Sequence, residues 1–175
     1  MKPFKFFKKK HSESEIQMFD FLRKAEMLET LTDDELSYFL PYLYLRDYKR
    51  NEVVFFTGDP SYALYMVKKG IITLNLNIKD SFEKLMTLRS GRLFGDNALL
   101  PNSKRIYSAI VETEQASIYV LPKENLLEIL NAHPLIKAKV MTAFAEAYNK
   151  YTTRLFATYK SSLGFFDLTT VYSGA

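Results

Sequence analysis

Four of the chain's six glycines, Gly58, Gly70, Gly91 and Gly95, punctuate its middle third. Phe94-Gly95-Asp96-Asn97-Ala98-Leu99-Leu100 closes that stretch, and Arg105 comes nine residues after Asp96. Together these residue types could do one piece of chemistry. A glycine-opened turn frees backbone N–H groups, which with a guanidinium can hold a phosphate, and a carboxylate at the exit can accept from sugar hydroxyls. Taken singly they are ordinary. A strand arginine can face solvent or pair with a nearby acid, Asp96 suits a helix N-cap, and Gly91 and Gly95 suit turns.

Other chemistries find little support. There are no cysteines, so disulfides, thiol catalysis and cysteine-held metals are excluded. His11 and His133 are the only histidines and stand 122 positions apart, which argues against a histidine metal site or triad. No P-loop, nucleophile elbow, metal-ligand cluster or general base stands out, and no enzyme activity is expected. Five lysines in residues 1–10 supply more than the net charge of +4, leaving 19 basic against 20 acidic side chains in the rest. A near-neutral body argues against a DNA-binding domain. No apolar run approaches the ~20 residues of a membrane span, and the first ten residues lack the apolar core of a signal peptide. The expectation is a cytoplasmic protein. Its basic aromatic leader, residues 1–11, reads as a solubilising tail or as a peripheral contact with the inner face of a membrane, at about 1 kcal/mol per lysine.

The elements that must position Gly95, Asp96 and Arg105 follow from periodicity. Ser12 with Glu15, and Thr32 with Glu35, have capping-box spacing and open two N-terminal helices; Ile16, Phe19 and Leu22 give the first an apolar face. From Tyr42 the period changes to that of strands: Tyr42–Tyr48 with Leu43 and Leu45 on one face, Val53–Phe56, Ala63–Lys68, Ile71–Ile78, Lys84–Leu88 after a turn at Lys79-Asp80-Ser81, Arg105–Glu112 and Ala116–Leu121. Helical period returns over Lys123–Asn131 and again from about Pro134 to Tyr159, where Met141, Phe144, Tyr148, Tyr151 and Leu155 form a heptad-like seam. Residues 161–175 read as a tail. The fold class predicted is α+β: a small antiparallel β barrel, jelly-roll-like, flanked by N-terminal helices and a long C-terminal helix, with one domain over residues 12–160.

This order resembles the cyclic-nucleotide-binding domain family, over about residues 25–150. The residues that carry the resemblance are Leu31-Thr32-Asp33-Asp34-Glu35-Leu36, Phe55-Phe56-Thr57-Gly58-Asp59, Leu64-Tyr65-Met66-Val67-Lys68-Lys69-Gly70, Leu88-Arg89-Ser90-Gly91-Arg92-Leu93-Phe94-Gly95-Asp96 and His133-Pro134. The resemblance implies a site made of Phe94, Gly95, Asp96, Asn97, Ala98, Arg105 and Ile106. The arginine would bind the cyclic phosphate of cAMP or cGMP and the acid the ribose, with the base against Met86, Leu88 and the start of the long helix. Three features depart from the family pattern: Asp96 replaces a glutamate, Asn97 an apolar residue, and Ile106 and Tyr107 two small residues. Two functions remain open on this reading. One is a regulatory cyclic-nucleotide sensor that signals through its C-terminal helix to a protein partner or a second copy. The other is a ligand-free scaffold subunit of a larger assembly. No metal or catalytic residue is implied, and too few residues follow the long helix for the DNA-binding domain of the family's transcription factors.

Overall fold

The computed structural model of the chain describes residues 11–78 and 81–163. The lysine-rich leader (1–10), Lys79 and Asp80 of the expected hairpin turn, and residues 164–175 of the expected tail lie outside the described residues.

Both capping boxes form. Ser12 accepts from the Glu15 N–H and starts α1 (Glu13–Leu22), and Thr32 does the same for Glu35 at the start of α2 (Asp33–Ser37). α1 buries Phe19 and Leu22, but Ile16 stays 44% exposed and is not part of the packed face. Eight strands follow: β1 (Tyr44–Lys49), β2 (Val53–Phe55), β3 (Ala63–Lys69), β4 (Ile72–Ile78), β5 (Ser81–Leu88), β6 (Leu93–Phe94), β7 (Ser108–Val111) and β8 (Gln115–Pro122). They make two antiparallel four-stranded sheets, ordered β1-β8-β3-β6 and β2-β7-β4-β5. The chain closes with α3 (Lys123–Ala132) and the 30-residue α4 (Pro134–Leu163).

The two-residue strand period divides the core. Leu64 and Met66 of β3, with Tyr119 and Leu121 of β8, face a helical cluster that includes Phe19, Leu36, Phe39, Leu126, Leu130, Val140 and Phe144. Val67 and Ile118 on the same strands face the space between the sheets, with Phe55, Ile72, Leu74, Phe94, Ala109 and Val111. β3 and β8 are thus covered on both faces, which is why they read as nearly unbroken apolar runs.

Two strand expectations are corrected. The strand expected over 42–48 is Tyr44–Lys49, so Leu43 and Leu45 do not share a strand face: Leu43 lies before the strand against the helical cluster, and Leu45, on the edge strand β1, is 46% exposed. The strand expected from Arg105 starts only at Ser108. Arg105 instead pairs with the turn at Gly58-Asp59: its N–H donates to the Asp59 carbonyl and its carbonyl accepts from the Gly58 N–H, both at 2.8 Å.

Two ion pairs tie α4 to the N-terminal helical layer. Lys139 Nζ reaches both carboxylate oxygens of Glu35 at 2.8 and 2.7 Å, and Lys150 pairs with Glu26. Partial burial pushes the Glu35 carboxyl up, but the bonds from Lys139 and Thr32 outweigh it and hold the group below its ordinary range. The α4 seam divides at its middle: Phe144 is buried, whereas Tyr151 and Leu155 are 49% and 65% exposed.

Candidate functional site

A cavity of about 270 Å³ lies between the second sheet and α4. Leu74, Met86 and Leu88 form one wall; Phe94, Asp96, Ile106 and Tyr107 line the segment around the short helical turn; Ala147, Tyr148 and Tyr151 of α4 close the other side. Met86 and Leu88, which the resemblance sets against a base, both line this cavity. The long helix contributes its middle rather than its start, because Ile136 and Val140 near the start are buried in the helical cluster.

Asp96–Leu99 form a single turn of 3₁₀ helix after Gly95, which has φ +73°. Gly95 is also a close approach: a Cβ there would lie 2.6 Å from Nη1 of Arg105 and 3.1 Å from the Tyr65 ring. Phe94 is buried and stacks on Tyr65 with ring centroids 5.2 Å apart. Ala98 is buried, while Ile106 is 66% exposed at the cavity rim.

Arg105 is the best-held side chain of the group and is only 3% exposed. Nη1 donates to the Gly95 carbonyl at 2.9 Å and to Asn97 Oδ1 at 3.0 Å, and Nη2 donates to the Ala63 carbonyl at 2.6 Å. The guanidinium lies over the Phe55 ring, 4.2 Å from its centroid. Its Nε–H has no partner, and among the described residues no carboxylate forms an ion pair with it. Burial pushes its pKa below the ordinary arginine range, against the opposing influence of Tyr65, Tyr107 and Asp96; the group remains a cation. Asn97 belongs to the same network. Its Oδ1 also accepts from Ser61 Oγ at 2.7 Å, and its Nδ2 donates to the Lys104 carbonyl at 2.5 Å.

Tyr107 completes the arrangement. Its phenol oxygen accepts from the Gly95 N–H at 3.1 Å, and its ring packs on Phe55. Burial, then the charge of Asp96, pushes the phenol above its ordinary range. Tyr148 on α4 is pushed up to about 12 by the same two influences in the same order. Sequence reasoning marked Tyr107 only as a departure from two small residues. It did not assign Ser61, Tyr65 or Tyr148 to the site, because they lie 31 to 52 positions from Asp96 and Arg105 in the chain.

Burial is also the chief influence on Asp96, raising its carboxyl above 3.8 against the opposing effects of its own N–H, the Asn97 N–H and Arg105. A raised folded-state value means that the native state binds this proton more tightly than the unfolded chain. The associated stability is present at low pH and is lost as pH rises through the folded value. Asp96→Asn keeps an acceptor without the charge. It is therefore expected to be more stable than the wild type at about pH 7, with the advantage shrinking towards about pH 4. Urea midpoints across that range check this; an Asp96→Asn protein less stable at neutral pH would show that the carboxylate is a net support.

Among the described residues no helix is long and apolar enough to cross a membrane, and no group of acidic or histidine side chains is placed to hold a metal ion.

The arrangement has known relatives. The chain is 28% identical over 116 residues to the cyclic AMP receptor protein of Thermus thermophilus, covering 66% of this chain and 53% of that one. It is 26% identical to a putative potassium channel protein of Rhodopseudomonas palustris, covering 74% of this chain and 31% of the channel. The chain thus spans about half or less of the length of these relatives. Among solved structures, a cyclic nucleotide-binding domain from Methylobacillus flagellatus superposes with a TM-score of 0.69 at 17% identity, covering 89% of this chain and 87% of that one, a likeness of fold. Residues 45–133 match the sequence profile of the cyclic nucleotide-binding domain, over half of the chain. That match takes in the strands from Leu45 onward and the short turn at Gly95, and the chain belongs to the cyclic nucleotide-binding domain family.

Proposed function

We propose that this protein is a non-catalytic regulatory sensor whose ligand, a cyclic nucleotide, enters the cavity between the barrel and α4. One observation carries the reading: Arg105 is a buried cation with an unpartnered Nε–H and no pairing carboxylate, beside Gly95. A buried charge without a counterion is expensive, and an anionic ligand would supply the counterion. Asp96 lines the same cavity and suits a ribose hydroxyl. Met86, Leu88, Tyr148 and Tyr151 offer apolar and aromatic surface for a base. α4 both walls the cavity and carries the exposed Leu155 and Phe156 beyond it, so a ligand-driven shift would reach a surface suited to a protein partner or a second copy.

The test is calorimetric titration of the wild-type chain with cAMP, cGMP and adenosine. The expected result is binding of one or both cyclic nucleotides and at least about tenfold weaker binding of adenosine, the loss of one good charged contact. Silence with both nucleotides at about millimolar ligand, near −4 kcal/mol, would leave the ligand-free scaffold. The observation favouring that second reading is that the Nη atoms of Arg105 and the Gly95 N–H already have internal partners.

A further inference from the structure

Gly95 and Arg105 are the donors that the proposed reading assigns to an anion, and most of their hydrogen-bonding capacity is used by this chain itself. The Gly95 N–H donates to the Tyr107 phenol oxygen at 3.1 Å. The Tyr107 ring sits on Phe55, 5.8 Å between centroids, and Phe55 also carries the Arg105 guanidinium on its face. Phenol, guanidinium and glycine N–H therefore form one packed unit, of which Tyr107 is the member that lines the cavity and Arg105 and Gly95 lie behind it. The cavity left over, about 270 Å³, falls just below the roughly 300–1,000 Å³ of small-molecule sites. A tyrosine stands here where the family pattern has a small residue, so a ligand phosphate would meet a ring and a hydroxyl that the pattern does not provide.

We propose that Tyr107 is an internal plug: its phenol oxygen stands in for a phosphate oxygen at the Gly95 N–H, and a ligand phosphate reaches that N–H only by displacing it. The phenol is a neutral acceptor, whereas a phosphate oxygen is an anionic one that makes a stronger, shorter bond to the same N–H. Displacement would also free the volume of the ring and open the way to the unpartnered Nε–H of Arg105. The plug admits ligands that carry an oxyanion and rejects those that offer only a base and sugar, because these gain nothing at Gly95 to offset moving the ring. Tyr107 is thus a specificity-determining residue that raises the ligand concentration needed for a response.

This inference rests on the cyclic-nucleotide reading, and its test separates the two. Wild type, Tyr107→Phe and Tyr107→Ser are titrated with cAMP and with adenosine. Tyr107→Phe removes only the oxygen; Tyr107→Ser removes the ring as well, and if it fails to fold, the phenylalanine variant carries the test. The expected result is at least about tenfold tighter cAMP binding by either variant, with adenosine changed by less than about twofold. Binding by a variant where the wild type is silent gives the same support. If the wild type binds cAMP and neither variant binds it tighter, the plug is overturned while the sensor reading stands. If both ligands tighten equally, Tyr107 merely restricts volume and its role as an anion stand-in is overturned. Silence of all three proteins with cAMP overturns the sensor reading and the plug with it.

Discussion

Replacing Arg105 with methionine is expected to destabilise the fold by about 3 kcal/mol, although the change removes a buried charge. Two large effects oppose each other. Three hydrogen bonds to Gly95, Asn97 and Ala63 disappear, and bonds from a charged donor are worth about 1.5–3 kcal/mol each. Against that, the chain no longer has to bury a cation, which relieves several kcal/mol. The bonds prevail because the losses fall on buried acceptors with limited alternatives. Asn97 Oδ1 keeps Ser61 and the Gly95 carbonyl keeps the Ala98 N–H, but the Ala63 carbonyl loses its charged donor. Arg105→Lys should lose roughly half as much, since one ammonium cannot span Ala63 and Asn97 together as a planar fork does. Urea midpoints read both values. An Arg105→Met protein within about 0.5 kcal/mol of wild type would mean that the arginine does not knit β3 to the short turn and is free to be spent on a ligand.

Gly70→Ala is expected to be the most damaging small-to-small change, at about 3 kcal/mol or more. Gly70 has φ +91°, and an added Cβ would lie 2.7 Å from the Gln115 carbonyl and 2.8 Å from Ala116 Cα and Cβ. Those neighbours are largely backbone at the start of β8, and Ala116 is buried, so neither can swing aside. Gly58→Ala is the matched control: its φ is +88°, but nothing lies within 4 Å of an added Cβ. It should show only the dihedral strain, about 1–2 kcal/mol. The difference between the two midpoints measures the collision alone, and equal losses at Gly58 and Gly70 would remove it.

Much of this architecture was legible in the chain because its signals are local. The two capping boxes need only four residues each, and the alternation of β4 shows because one face meets the core. The order of helix, barrel and long helix followed from such signals. The edge position of β1 was not legible: which strand lies outermost depends on pairing with β8, some 70 residues on, so the alternation alone could not say whether the face carrying Leu45 is covered. The site was legible in position but not in state. Gly95, Asp96 and Arg105 could be singled out from type and spacing. Whether the guanidinium faces a cavity or main-chain carbonyls depends on Ala63, 42 residues earlier, and on Asn97. Asn97 looked like a lost apolar contact; in the folded chain its amide holds Arg105, Ser61 and the Lys104 carbonyl together.

The ion pairs of α4 have a mechanical meaning. Lys139 and Lys150 pin the helix to the N-terminal layer at two points eleven residues apart, about 16 Å along the axis at 1.5 Å per residue. Beyond Lys150 the helix runs thirteen residues further, to Leu163, an arm of about 20 Å. Tyr148 and Tyr151 touch the cavity at the base of that arm. A tilt of about 10° about the outer pin carries the far end through roughly 3.5 Å, near the rise of two residues. The outer pin is half exposed, so added salt loosens it more readily than a buried contact. In the proposed sensor the arm would have an adjustable fulcrum: ionic strength would set how stiffly it is mounted, and a ligand in the cavity would set its angle.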